Sequence, residues 1–423
     1  MSGARTVLLI SPGHSDLVAG GSPVVCQELF EALRDRDDIV CHMLAAVDQE
    51  SGGAHRPEAG ITGFEARDNV YLLHQTGHDS WLHRNDDLAL VEAYTDLLRA
   101  IKPDVVHFHH FLHVGADLIS LTRRVLPSCR IVFTFHEFAA LCAADGHMVR
   151  RTDGALCERP GPVRCHQCLP ARQPDDFMIR EMWLAHHLRQ VDRFTCPSAF
   201  MIARYVEWGI PPDRISVVTN GQRSRAVRPL LPPASGPRAR FGYFGQLHDD
   251  KGVHVLLRAV DLLRKEGFMS FRVDINGGGI QHASPAIRQE IEAFQQAEQA
   301  LPLAERIVFF PGSYSQEQIQ SRMAPVDWCI VPSVWWEIFG LVISEAWMFR
   351  EPVICSNAGG MAERVAHERD GLHFEMGDPV SLAPTMRRAV LEKRLWERLS
   401  EGTPEPPSRA AMVEGYLALY DCK

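Results

Sequence analysis

Apolar residues along this chain come in two arrangements: short unbroken runs, and longer stretches where they recur every three or four positions. The runs at 6–11 (Thr-Val-Leu-Leu-Ile-Ser), 105–109 and 130–136 read as buried strands, and the spacing over 23–34 predicts an amphipathic helix. After residue 240 the alternation begins again. Strands are expected at 240–244, 271–275, 307–310, 328–331 and 353–355, with helices over 253–266 and from 341. A last helix over 408–420 follows a proline-rich break at 403–407. Strands apolar on both faces belong in parallel sheets covered by helices on both sides, so the pattern predicts two doubly wound α/β domains.

Between the two alternations lies Arg-Pro-Leu-Leu-Pro-Pro-Ala-Ser-Gly-Pro, a linker composition. The expected organisation is a first domain at 1–222, a linker at 223–239 and a second domain at 240–407, with the C-terminal helix 408–423 packing back on the first. Residues 48–70, rich in Gly, Ala and charge, read as a long surface loop. Two such domains facing each other leave a deep cleft lined by the carboxyl ends of their strands, where open α/β sheets bind ligands.

Composition narrows the function classes. A chain of 423 residues, 46% hydrophobic and 23% charged, is long enough for two folded cores. Its net charge of -9 argues against a nucleic-acid partner. No apolar run approaches the ~20 residues that cross a bilayer, and the start carries no signal-peptide pattern. A cytoplasmic protein is expected, with the pairs Arg123/Arg124 and Arg150/Arg151 offering at most weak peripheral contact with a membrane.

Four segments carry candidate chemistry. In 332–346 a strand ends at Pro332, a loop carries Glu337, and a helix opening near Gly340 contains Glu345. Free N–H groups at such a helix start suit a diphosphate. The two glutamates are ~12 Å apart along a helix axis, too far for an acid–nucleophile pair. They suit separate hydroxyls of one elongated ligand; a solvated loop Glu plus a helix Glu is the alternative. In 241–252 a strand runs into Gly245 and Gln246, and Lys251-Gly252 opens the next helix, placing a cation where a leaving diphosphate gathers charge. In 11–22 a strand is followed by Gly20-Gly21 and a helix, without the G-x-G-x-x-G fingerprint of dinucleotide sites. At the end of the 130–136 strand, His136 can hydrogen-bond a substrate hydroxyl or be a backbone-satisfied structural histidine. His107, His109, His110 and His113 make a poor metal set, because His110 leaves the strand face that His107 and His109 share.

Taken together these segments resemble the retaining glycosyltransferases of family 4, of the surface-polysaccharide type, which have the GT-B arrangement of two facing Rossmann-like domains. The resemblance rests on Gly20-Gly21, His136-Glu137, Pro197-Ser198 with Asn220-Gly221, Gly245 with Lys251-Gly252, Glu337 with Glu345, and Ala358–Glu363 followed by Asp370-Gly371. It implies a nucleotide-diphosphate sugar donor, a glycan or lipid-linked acceptor, retention of anomeric configuration, and no metal or cofactor for catalysis. It also implies that Glu337 contacts donor sugar hydroxyls, Glu345 the ribose and Lys251 the diphosphate. Phe339, Gly340, Leu341 and Val342 would cradle phosphate and sugar through their backbone, and His136 would lie beside the donor sugar. The family usually carries Arg where Gln246 stands, which leaves more of the leaving-group charge to Lys251. A sugar-nucleotide epimerase of similar fold and a zinc-stapled non-catalytic interaction protein are the competing readings. Acceptor-contacting candidates in the first domain are His14, Trp81, His113 and Phe138.

Eleven cysteines are many for a reducing compartment. Cys26, Cys196, Cys329 and Cys355 sit in apolar segments as small core residues. Cys142, Cys157, Cys165 and Cys168, in an insert spanning 142–170, are spaced for a structural zinc site, with unliganded thiols and a redox pair as the other readings.

Overall fold

The computed structural model describes residues 4–18, 20–47, 58–222 and 237–421. Most of the expected linker, and residues 48–57 of the expected loop, lie outside the described residues. Two compact units divide the chain, Met1–Arg223 with Pro407–Lys423, and Ser224–Pro406.

In the first unit the strands are β1 (Arg5–Ser11), β2 (Ile39–Val47), β3 (Gly60–Gly63), β4 (Val70–His74), the two-residue pair β5 (His78–Asp79) and β6 (Arg84–Asn85), β7 (Val105–Phe108), β8 (Arg130–Thr134), β9 (Arg193–Cys196) and β10 (Ile215–Val217). Eight of them form one sheet in the order β10-β9-β8-β7-β1-β2-β4-β3. Val7, Leu8, Leu9 and Ile10 are fully buried, as both-face coverage of a central parallel strand requires. Only β3 runs antiparallel, along the β4 edge. Its residues were expected in a loop; Gly-Ile-Thr-Gly is too short to show alternation and takes its order from the β4 ladder. The C-terminal helix Arg409–Asp421 belongs to this unit: Tyr420 Oη lies 2.8 Å from His107 Nδ1, and the Gly221 amide meets Met412 Sδ at 3.2 Å.

The second unit holds a six-stranded, all-parallel sheet. Its strands are β11 (Arg240–Phe244), β12 (Arg272–Asn276), β13 (Val308–Gly312), β14 (Trp328–Val331), β15 (Val353–Ser356) and β16 (Gly371–Phe374), in the order β13-β12-β11-β14-β15-β16. Strand periodicity separates two cores. Phe241, Tyr243, Trp328, Ile330 and Ile354 pack on one face, and Phe244, Cys329, Val331, Val353 and Cys355 on the other. The first core is covered by the helices Val253–Lys265 and Pro379–Leu391, the latter opened by Pro379 and by the Asp378 side chain capping the Val380 amide at 2.8 Å. The second is covered by Leu341–Met348. Each sheet is therefore wound on both sides, the doubly wound architecture expected from the sequence.

Candidate active site

In the second unit the chemistry-bearing segments sit at the carboxyl ends of neighbouring strands. β11 ends into Gly245, β12 into Gly277, β14 into Pro332 and β15 into the turn before Gly359. Backbone contact locks these turns together. The Gly245 amide donates to Asn276 O and the Leu247 amide to Gly278 O, while a Cβ at Gly277 would come within 1.8 Å of Gly245 O. Gly252 lies in the left-handed region (φ 69°), and a Cβ there would meet Pro332 O at 1.9 Å, so only glycine allows this approach. The Val334 amide donates to Asp250 O at 2.8 Å across the same gap.

This framework brings Lys251 and Glu337 together. The Lys251 ammonium donates to Glu337 Oε2 at 2.8 Å and stands 4.9 Å from the Trp335 ring centre. Trp335 Nε1 donates to the same carboxylate oxygen at 3.2 Å. Burial acts to lower the Lys251 ammonium, but the Glu337 and Asp250 carboxylates outweigh it and hold it above its ordinary value. The pair is a half-buried cation beside a nearly buried anion, at the mouth of a parallel sheet. Gln246, by contrast, turns its Oε1 to His248 Nε2 at 2.7 Å, and Tyr243 donates to its carbonyl.

Gly340 (φ 67°) turns the chain into the helix Leu341–Met348, whose Leu341 and Val342 are partly exposed and whose Glu345 is buried. A residue not singled out from the sequence holds this turn: Arg364 donates to Phe339 O (2.8 Å), Gly340 O (2.9 Å) and Ser344 Oγ (2.7 Å), and stacks on the Phe339 ring at 3.7 Å. The only hint was its place directly after the Gly-Gly-Met-Ala-Glu run. That run is forced too, since a Cβ at Gly360 would lie 2.0 Å from Ile338 O. Arg364→Ala should cost about 2–4 kcal/mol, because three acceptors lose a charged donor. The thermal midpoint of this unit should then fall by roughly 5–15 °C, with lysine failing to restore it for want of the planar fork. A midpoint within about 2 °C of wild type would remove Arg364 from the account.

In the first unit Gly20 and Gly21 open the helix Gly21–Arg34, which has no side-chain cap. His136 follows β8 and meets His109 by ring nitrogens, Nε2 to Nδ1 at 3.0 Å, with the rings stacked. Beside it, His110 Nδ1 accepts the Phe111 and Leu112 amides, which fixes its proton on Nε2, 2.7 Å from Glu137 Oε1. His107 is tied to Tyr420 and Thr134. Among the acceptor candidates, His14 and Phe138 are buried, Trp81 is partly exposed against Arg172, and His113 is exposed. Buried side chains contribute to packing and not to an exposed acceptor surface.

Several of these histidines are held neutral. Burial pushes His107 and His136 down to about 3 and His83 to about 2, with the Arg180 guanidinium acting the same way on His83. Such groups take up protons in the unfolded chain near pH 6.5 but in the folded unit only near pH 3 or below. Stability is therefore unaffected above about pH 6.5 and lost as pH falls below it, by at most about 1.4 kcal/mol per pH unit per histidine. Calorimetry should show the midpoint of the first unit dropping by about 10 °C or more between pH 7 and pH 5. An unchanged midpoint would mean that these rings are solvated.

Arg123, Arg150 and Arg151 are engaged by Asp192, Asp153 and Asp145. Among the described residues no helix is long and apolar enough to cross a membrane. Cys142, Cys157, Cys165 and Cys168 form no disulfide among the described residues and line one small cavity.

Comparison with known proteins places this geometry. Residues 19–222 match the model of Glycosyltransferase Family 4, and residues 238–391 that of Glycosyl transferases group 1. The D-inositol 3-phosphate glycosyltransferase of Corynebacterium jeikeium (strain K411) is 25% identical over 435 residues, covering 100% of this chain and 96% of its own. The lipopolysaccharide core biosynthesis glycosyltransferase LpsD of Rhizobium meliloti (strain 1021) is 29% identical over 55% of this chain and 64% of its own. The crystal structure of Anabaena Alr3699/HepE in complex with UDP and glucose superposes with a TM-score of 0.66 at 14% identity, covering 98% of this chain and 99% of that one. With both family models matched in order and the GT-B fold shared, the chain belongs to the glycosyltransferases of family 4.

Proposed function

We propose that the protein moves a glycosyl group from a nucleoside-diphosphate sugar to a hydroxyl of a glycan or lipid-linked intermediate of surface-polysaccharide synthesis, with retention and without a catalytic metal. The carrying observation is the Lys251–Glu337 pair at the carboxyl ends of β11 and β14. HepE, similar in fold, was crystallised with UDP and with UDP-glucose, and the relative LpsD acts in lipopolysaccharide core biosynthesis, which supports the donor and acceptor classes.

On this reading Lys251 moves from Glu337 to the donor diphosphate and stabilises the charge that grows on it as the sugar leaves. Glu337, released, accepts hydrogen bonds from sugar hydroxyls near the reacting carbon. Backbone amides at the start of Leu341–Met348 receive phosphate oxygens, and Glu345 holds the ribose. The acceptor attacks on the face the leaving group departs from, giving its proton to that phosphate. His136, neutral and backed by His109, hydrogen-bonds a substrate hydroxyl and carries no charge to the site.

The test is proton NMR of freshly formed product, with donor hydrolysis followed as acceptor is added. The anomeric class of the donor should persist, and acceptor should stimulate donor consumption. An inverted product removes retention; acceptor-free interconversion of donors favours an epimerase instead.

A further inference from the structure

The helix Pro162–Cys168 buries none of its residues. Seven residues are far below the length at which a helix is stable by itself, and its partly buried face is small. Its Cys165 and Cys168 are three apart and share one side. Opposite stands a small hairpin, with Val149 bridged to Leu156, the Arg150 amide donating to Ala155 O, and the Cys157 amide donating to Met148 O. This hairpin carries Cys157, and the turn leading into it carries Cys142. All four sulfur-bearing side chains line a single cavity of about 20 Å³, room for one water-sized body.

Charge supplies a second observation. Arg180 is buried (5% exposed) and donates to the carbonyls of Trp81, Ala139 and Ala140 and meets His83 Nε2 at 3.3 Å. The groups beside it that can carry negative charge are the Glu137 carboxylate and the Cys142 and Cys165 sulfurs. Arg164 lines the same cavity as the four cysteines. A buried guanidinium facing neutral thiols is poorly compensated. One facing an anionic sulfur cluster is not.

We propose that Cys142, Cys157, Cys165 and Cys168 hold one zinc ion as a tetrathiolate that clamps the 142–168 segment onto the first unit. Each thiol releases its proton to solvent as its sulfur coordinates, leaving a centre of charge about −2 that Arg180 and Arg164 balance. Among the described residues no three His, Cys, Asp or Glu side chains already stand as a ligand cage: Cys142 and Cys157 donate to Ala144 O and Arg159 O, and coordination requires both to give up these bonds. The clamp reaches the His136 segment. The Phe138 amide donates to Gly146 O, and a Cβ at Gly146 would lie 1.8 Å from Glu137 Oε2, so the cysteine-bearing turn abuts the carboxylate that pairs with His110.

Elemental analysis of the full chain, purified under reducing conditions and dialysed against metal-free buffer, should give about one zinc per chain. Cobalt exchanged into the wild-type chain should show the visible bands of tetrahedral cobalt and sulfur-to-cobalt charge transfer. Cys165→Ser with Cys168→Ser should lose the zinc, and amide exchange should rise over 136–168. Should that variant fail to fold, mercurial titration of the wild type decides, with zinc released as about four thiols are consumed. Less than about a tenth of an equivalent of zinc in the native chain, zinc retained by the double variant, or an intact mass showing disulfides among these cysteines would each overturn the proposal.

Discussion

Lys251→Ala should lower turnover by about 10²–10³-fold, the effect of removing one preorganised stabiliser from a developing anion. The geometry makes the effect specific. Gly252 and Pro332 hold Lys251 against the loop of Glu337, while Gln246, standing where the family usually has arginine, is turned to His248. Lys251 is thus the principal fixed side-chain cation assigned to the diphosphate. Removing Lys251 leaves the nearly buried Glu337 carboxylate without its cation and costs about 1–3 kcal/mol, so turnover is compared well below the variant's melting point, where both proteins are folded. Gln246→Arg should tighten nucleoside-diphosphate binding and partly rescue the alanine variant. Turnover within about threefold of wild type, a barrier change below ~1 kcal/mol, would withdraw the assignment of the whole 241–252 segment.

Glu337→Gln should also lose about 10²–10³-fold in turnover, yet behave oppositely in binding. Its carboxylate is the partner of the Lys251 ammonium, and on the proposed reading a donor diphosphate displaces it. The amide is nearly isosteric and uncharged, so Lys251 is freed and nucleoside diphosphate should bind as well as before or more tightly. Lys251→Ala weakens both ground-state binding and turnover; Glu337→Gln separates them. Isothermal titration with nucleoside diphosphate, beside steady-state rates, reads the split. Weaker binding by the glutamine variant would show that Glu337 organises the phosphate site and does not oppose it.

Much of this was legible in the sequence because continuous apolar strands such as Val7–Ile10 and the Gly252 and Gly340 turns carry local signals. At Gly252 positive φ combines with a Cβ position 1.9 Å from Pro332 O, which no other residue meets, and positive φ at Gly340 favours glycine. The Lys251–Glu337 contact was not legible: 86 positions separate the residues, and only the adjacency of β11 and β14 joins them. Arg364 escaped for a related reason. A surface-looking arginine at a helix end becomes a partly buried staple once the turn at Phe339 and Gly340 folds over it. Gly277 went unmarked although it closes the turn opposite Gly245, since a glycine run after a strand has many uses. The edge strand β3 and the burial of His14 and Phe138 likewise depend on neighbours far away in sequence.

The most direct measurement is calorimetric titration of UDP, GDP, ADP and their sugars into the full chain and its Lys251→Ala and Glu337→Gln variants. The account predicts micromolar affinity for one nucleoside diphosphate and its sugar, weakened at least about tenfold (about 1.4 kcal/mol) by Lys251→Ala and unweakened by Glu337→Gln. Absence of any binding tighter than about 1 mM, or binding indifferent to Lys251, would contradict it.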